Sequence, residues 1–61
     1  MHFQTAVALA RETPTMKLCE AWGVGPEYVT ARTRGEVPMN LREAGDLAKL
    51  HGLRLEDILG V

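Results

Sequence analysis

The chain has a single cysteine, Cys19, and three aromatic residues, Phe3, Trp22 and Tyr28, among its 61 residues. One cysteine excludes an intramolecular disulfide and fits a reducing, cytoplasmic setting. Neither sign of charge dominates: seven Lys and Arg stand against eight Asp and Glu, a formal net charge of −1. A charged fraction of 25% with 46% apolar residues argues against disorder. No apolar run approaches the length of a membrane span, and Met1-His2-Phe3-Gln4 lacks the basic start and long apolar stretch of a signal peptide. Strand-like alternation, internal repeats and low-complexity segments are all missing, which leaves helices as the only regular elements expected. Catalytic signals are missing too. His2 and His51 lie far apart without metal-ligand spacing, and Cys19 has no histidine or carboxylate placed to activate it. Gly23-Val24-Gly25 lacks the third glycine and the preceding strand of a nucleotide loop. A non-enzyme without cofactor or metal is expected.

What is present is a succession of short helices in a single domain spanning residues 1–61. A chain of this length buries only about 60% of its unfolded surface, so a partner subunit would help it. Phe3, Ala6, Val7 and Ala10 follow the i, i+3, i+4, i+7 spacing of one buried stripe and predict a helix over residues 3–12. Thr13-Pro14 opens a second helix, with Thr13 as N-cap and Thr15 as the rival cap. Leu18 and Trp22 face the core from it, and Gly23 ends it. Gly25-Pro26 opens a third helix, with Glu27 favouring its positive end. Val29 is its one clear core residue, Tyr28, Thr30, Ala31, Thr33 and Arg34 are left mostly outward, and Gly35 ends it. A helix of about nine residues with a single apolar anchor is expected to serve through its exposed face.

Val37 or Met39 tucks onto the core from the following linker. Asn40 and Glu43 form a capping box at the start of a fourth helix, whose buried stripe is Leu41, Ala44, Leu47, Ala48 and Leu50 or His51. Gly45 marks a place of close packing inside it, and Gly52 closes it. Leu55, Ile58 and Leu59 make a last short helix or turn. The apolar tail from Leu53 to Val61 either closes the monomer core or supplies a dimer contact.

The run from Leu18 to Gly35, Leu-Cys-Glu-Ala-Trp-Gly-Val-Gly-Pro-Glu-Tyr-Val-Thr-Ala-Arg-Thr-Arg-Gly, resembles the Cro/repressor-type (lambda-repressor-like) helix-turn-helix family of phage and bacterial regulators. The family pattern is Leu-Ala-x-x-apolar-Gly-Val-Ser, one apolar residue five after the Val, then Arg-Gly, and the spacings match without a gap. A second gapless match runs from Leu47 to Leu59, an apolar-Ala pair, a glycine and then Leu-Glu-Asp-Ile-Leu. The resemblance covers residues 5–59. It implies an all-α, compact five-helix lambda-repressor-like domain with its helix-turn-helix core at 14–35, in a small phage or prophage Cro-like regulator. Such a protein binds double-stranded operator DNA as a homodimer, its two third helices about 34 Å apart. A shallower resemblance, through Trp22-Gly23-Val24 and Arg34-Gly35-Glu36-Val37-Pro38, is to excisionase-like winged helix-turn-helix proteins.

On that reading the third helix enters the major groove with Pro26, Glu27, Tyr28, Thr30 and Ala31 toward the bases. Arg32 and Arg34 reach phosphate or guanine, and Thr15 with Lys17 and Asn40 with Arg42 clamp phosphates at helix starts. Two residues carry a second reading. The Arg32 stem covers the core edge with its charge in water, and Tyr28 is a surface aromatic capping the turn. The chain departs from the family at Gly25, where a polar cap is usual, and at Pro26 and Glu27, where Gln or Ser is frequent. It departs again at Arg32, a position often apolar, and at Thr33, often Glu. Proline has no donor for a base edge, and Glu27 repels phosphate. These departures, with the acidic balance, support a second expectation: an interaction module of the same fold, such as an antirepressor that binds a phage repressor protein.

Overall fold

A computed structural model describes residues 4–59. Five α-helices and no strand occur among them: α1 Gln4–Glu12, α2 Thr15–Trp22, α3 Pro26–Thr33, α4 Leu41–Leu50 and α5 Leu55–Leu59. The chain is thus a small all-α domain. Helix α1 packs on α3, α4 and α5, while α2 packs on α3 and α4, and α5 closes against α4. The core is built from Ala6 and Ala10 of α1, Leu18 of α2, Val29 of α3, Met39, Ala44, Leu47 and Ala48 of α4 and its approach, and Ile58 and Leu59 of α5. The alanines let α1 and α4 lie close, and Leu18, Val29, Leu47 and Ile58 are the largest fully buried side chains.

The expected elements are present, with differences that have physical reasons. Thr13 does not cap α2. The residue before the helix is Pro14, which makes no side-chain cap bond. Thr13 is itself buried, and its hydroxyl donates back to the Leu9 carbonyl at 2.7 Å. The hydroxyl has one proton, so the 2.8 Å contact to His51 Nε2 is one in which the imidazole N–H donates. This pair ties the α1–α2 corner to the end of α4.

In the linker Met39 is buried and Val37 is exposed. In α4 the buried stripe is Glu43, Ala44, Leu47 and Ala48, while Leu41 and Leu50 lie at the surface, 48% and 40% exposed. The stripe has rotated toward Glu43 because that carboxylate is occupied inside the fold. Gly45 marks no close approach: a side-chain carbon built there would meet nothing within 4 Å. In the tail, Ile58 and Leu59 close the monomer core and Leu53 is exposed. Phe3, placed in the α1 stripe by its spacing, and Gly60-Val61 lie outside the described residues.

The α2–α3 turn behaves as its residues dictate. Gly23 takes φ +67°, ψ 40°, a conformation cheap only for glycine. The amides of Gly23 and Val24 both donate to the Cys19 carbonyl, which ends α2 cleanly. Gly25 is extended, and Pro26 opens α3 at the position where its missing N–H costs nothing.

Candidate nucleic-acid interface

Helix α3 is eight residues long and has one fully buried side chain, Val29. A single apolar anchor cannot fix a helix against rotation, so its orientation must come from other contacts. Three are present. Tyr28 Oη donates to Glu43 Oε2. Arg32 Nε lies 3.4 Å from Glu43 Oε1. Arg11 Nε of α1 donates to the Thr33 carbonyl at 2.6 Å, a cation on the negative end of the helix. Within α3 the Arg32 guanidinium lies over the Tyr28 ring, 3.6 Å from its centroid, which holds the two side chains together.

Glu43 is the centre of this arrangement. It is only 5% exposed. Besides Tyr28 and Arg32, its carboxylate accepts the Asn40 amide at 3.1 Å, while the Asn40 side chain accepts the Glu43 amide at 2.8 Å. The expected capping box is therefore complete. Trp22 Nε1 donates to the Glu43 carbonyl at 2.9 Å, and its ring meets Tyr28 edge-on at 6.4 Å between centroids. A carboxylate buried to this degree is tolerable only with such a full set of donors. Among the described residues no buried side-chain polar atom is left without a partner. The hydrogen bond to Glu43 also holds the Tyr28 phenol above its ordinary range, because losing the proton would set two anions side by side.

The backbones of α3 and α4 are not closely packed, and these long side chains bridge them. Tyr28, expected mostly outward, is half-buried and turned toward α4. Arg32 covers the core edge as one reading held, but its charge is paired with Glu43 rather than released to water. Trp22 is half-buried at the core margin, with its N–H satisfied by α4.

The other sequence-derived positions divide by location. Glu27, Thr30, Ala31 and Arg34 are spaced i, i+3, i+4, i+7; Glu27, Ala31 and Arg34 lie opposite Val29 and Thr30 lies at the flank, with Glu27 and Arg34 exposed and Thr30 and Ala31 half-buried. Pro26 is exposed at the first position of the helix. The Thr30 hydroxyl donates to the Pro26 carbonyl at 3.0 Å, so its proton is committed within the helix. Arg34 is exposed and has no ion-pair partner among the described residues. Thr15 and Lys17 are exposed in the first turn of α2, whose start has no side-chain cap. Asn40 and Arg42 are exposed at the start of α4, where the Asn40 side chain serves the capping box.

Sequence reasoning missed three residues that position this surface: Arg11, Trp22 in its bond to α4, and Glu43 as a link to α3. The capping-box spacing was the only signal pointing to Glu43, and it named one of its duties. Among the described residues no group of three or more His, Cys, Asp or Glu side chains is placed to hold a metal. Among the described residues no helix is long and apolar enough to cross a membrane. Compared with known proteins, the chain matches no family model, no curated protein and no solved structure.

Proposed function

We propose that the chain is a DNA-binding transcriptional regulator of the Cro/repressor type, acting in the bacterial cytoplasm as a homodimer on operator DNA, with α3 entering the major groove. One observation carries this reading. Helix α3 commits its inner side, Val29, Tyr28 and Arg32, to fixing its own orientation, and leaves Glu27 and Arg34 exposed with Thr30 and Ala31 half-buried beside them. A short helix held firmly by its back, with an outer face unused by the fold, is what major-groove reading requires. Lys17 and Arg42, exposed at the starts of α2 and α4, supply cations for phosphate on neighbouring elements. Tyr28 and Arg32 then act as positioning residues rather than base contacts.

A gel-shift titration with duplex DNA at increasing salt tests the proposal. Binding that weakens steeply with salt supports it. Arg34→Ala is expected to lower affinity several-fold without loss of helicity. An unchanged shift in that variant would overturn the assignment of this face.

The net charge of −1 favours a second reading, an antirepressor-like module that binds a repressor protein. It predicts no shift of any duplex at low salt and co-purification of a repressor.

A further inference from the structure

The outer face of α3 has an unusual hydrogen-bonding character for a surface that reads bases. Pro26 has no donor. Glu27 has only acceptors. Ala31 has a methyl group. The single hydroxyl proton of Thr30 is held by the Pro26 carbonyl, which leaves its methyl and an acceptor lone pair for a partner. The two long donors that a base-reading helix would use, Tyr28 and Arg32, are both turned onto Glu43. Arg34 stands alone as a donor, at the far end of the helix.

A groove edge that suits such a face is one offering apolar surface rather than an acceptor pattern. In the major groove that is the C5-methyl group of thymine; the acceptors of guanine meet only one side-chain donor on this face, Arg34 at its far end, and the acceptors of Glu27 suit the N4 donor of cytosine. Resting on the DNA-binding reading above, we infer that α3 selects its site mainly through thymine methyl groups, with Thr30 and Ala31 as the specificity-determining residues. Thr30 is the sharper of the two because its hydroxyl and methyl can be separated by substitution. Valine keeps a methyl in the same place without the hydroxyl, and serine keeps the hydroxyl without the methyl. Both changes are small, and Thr30 is only half-buried, so the fold tolerates either.

The experiment uses the full 61-residue chain. Bound duplexes are enriched from a random-sequence pool, and the recovered duplex is resynthesised with deoxyuridine replacing thymidine at one position at a time, which removes only the methyl. Affinity is expected to fall about fourfold at each contacted thymine, the value of one buried methyl-sized group. Thr30→Val is expected to keep the thymine-over-uracil ratio at its contact position, whatever its absolute affinity, and Thr30→Ser to bring that ratio to about one. Equal binding of thymine and uracil duplexes by the unmodified chain overturns methyl reading while leaving DNA binding intact. So does a ratio that survives in Thr30→Ser and vanishes in Thr30→Val, which would make the hydroxyl the reader. Failure to enrich any duplex overturns the DNA-binding reading itself, and methyl reading with it.

Discussion

Glu43 does three things at once. It caps α4, neutralises Arg32 and accepts the Tyr28 hydroxyl. Because Tyr28 is the chain's one tyrosine, its phenolate absorbance reports on this contact without interference. The midpoint of that absorbance change is expected above the ordinary 10.0. Glu43→Gln, which can still serve in a capping box, is expected to bring the midpoint back down. An identical titration in both proteins would show that the carboxylate does not govern the phenol. The sign for stability follows. Folding favours the protonated phenol, so this contribution is complete below pH 10.0 and is lost as the pH rises past the raised value. The core gives a second residue-scale expectation. Leu47 is fully buried, and Leu47→Ala should cost about 2–5 kcal/mol. A domain of this size has about 3–9 kcal/mol in all, so chemical denaturation of the variant should show a transition displaced to the edge of the unfolded baseline.

At the scale of the element, α4 combines a strong start with a weak middle. The capping box secures its first turn, and Gly45 then interrupts an otherwise good helical sequence. A side-chain carbon at Gly45 would point into open space. Gly45→Ala is therefore expected to stabilise the chain by about 0.5–1 kcal/mol, measured as a shift of the denaturation midpoint at constant m-value. A loss of stability would mean that the position is covered in solution. Helix α3 has the reverse character. Its start carries Glu27 in place of a side-chain cap, and its hold on the fold depends on Val29, Arg11 and the bridge to Glu43. Its boundaries were legible in the sequence, because Gly25-Pro26 and Gly35 punctuate it. Which of its faces points out was only partly legible. Val29 opposes Glu27, Ala31 and Arg34 by spacing alone, but the inward turn of Tyr28 and Arg32 depends on a partner in another helix.

The Cα atoms of the described residues span 29 × 23 × 18 Å. Each copy carries one α3. One copy therefore presents α3 to one major groove only, and a two-fold site with half-sites about 34 Å apart requires two copies. Few cations are available for the contact. Arg34 at the end of α3, Lys17 at the start of α2 and Arg42 at the start of α4 are exposed and unpaired among the described residues. If each neutralises one phosphate, the slope of log affinity against log salt should be about −3 for one copy and about −5 for a symmetric pair. A gel-shift series over salt, with the protein-to-DNA ratio fixed independently, separates these values. A slope much steeper than either would require cations elsewhere on the chain.

Taken alone, the sequence determined the order of the first four helices and most of their ends, with the start of α2 misplaced and the last element left as helix or turn. These are local matters: proline and glycine set the chain's turns, the Asn40–Glu43 spacing starts α4, and apolar periodicity chooses Ala6, Ala10, Leu18, Val29, Ala44 and Leu47 for the core. The tertiary structure alone decided where polar side chains spend their hydrogen bonds. Thr13 looks like a cap until His51 and the Leu9 carbonyl are beside it. Tyr28 and Arg32 look free until Glu43, on a different helix, is brought within reach. Apolar burial follows a short repeat along one helix. A hydrogen bond between helices depends on how two of them are placed, and no spacing within either one encodes it.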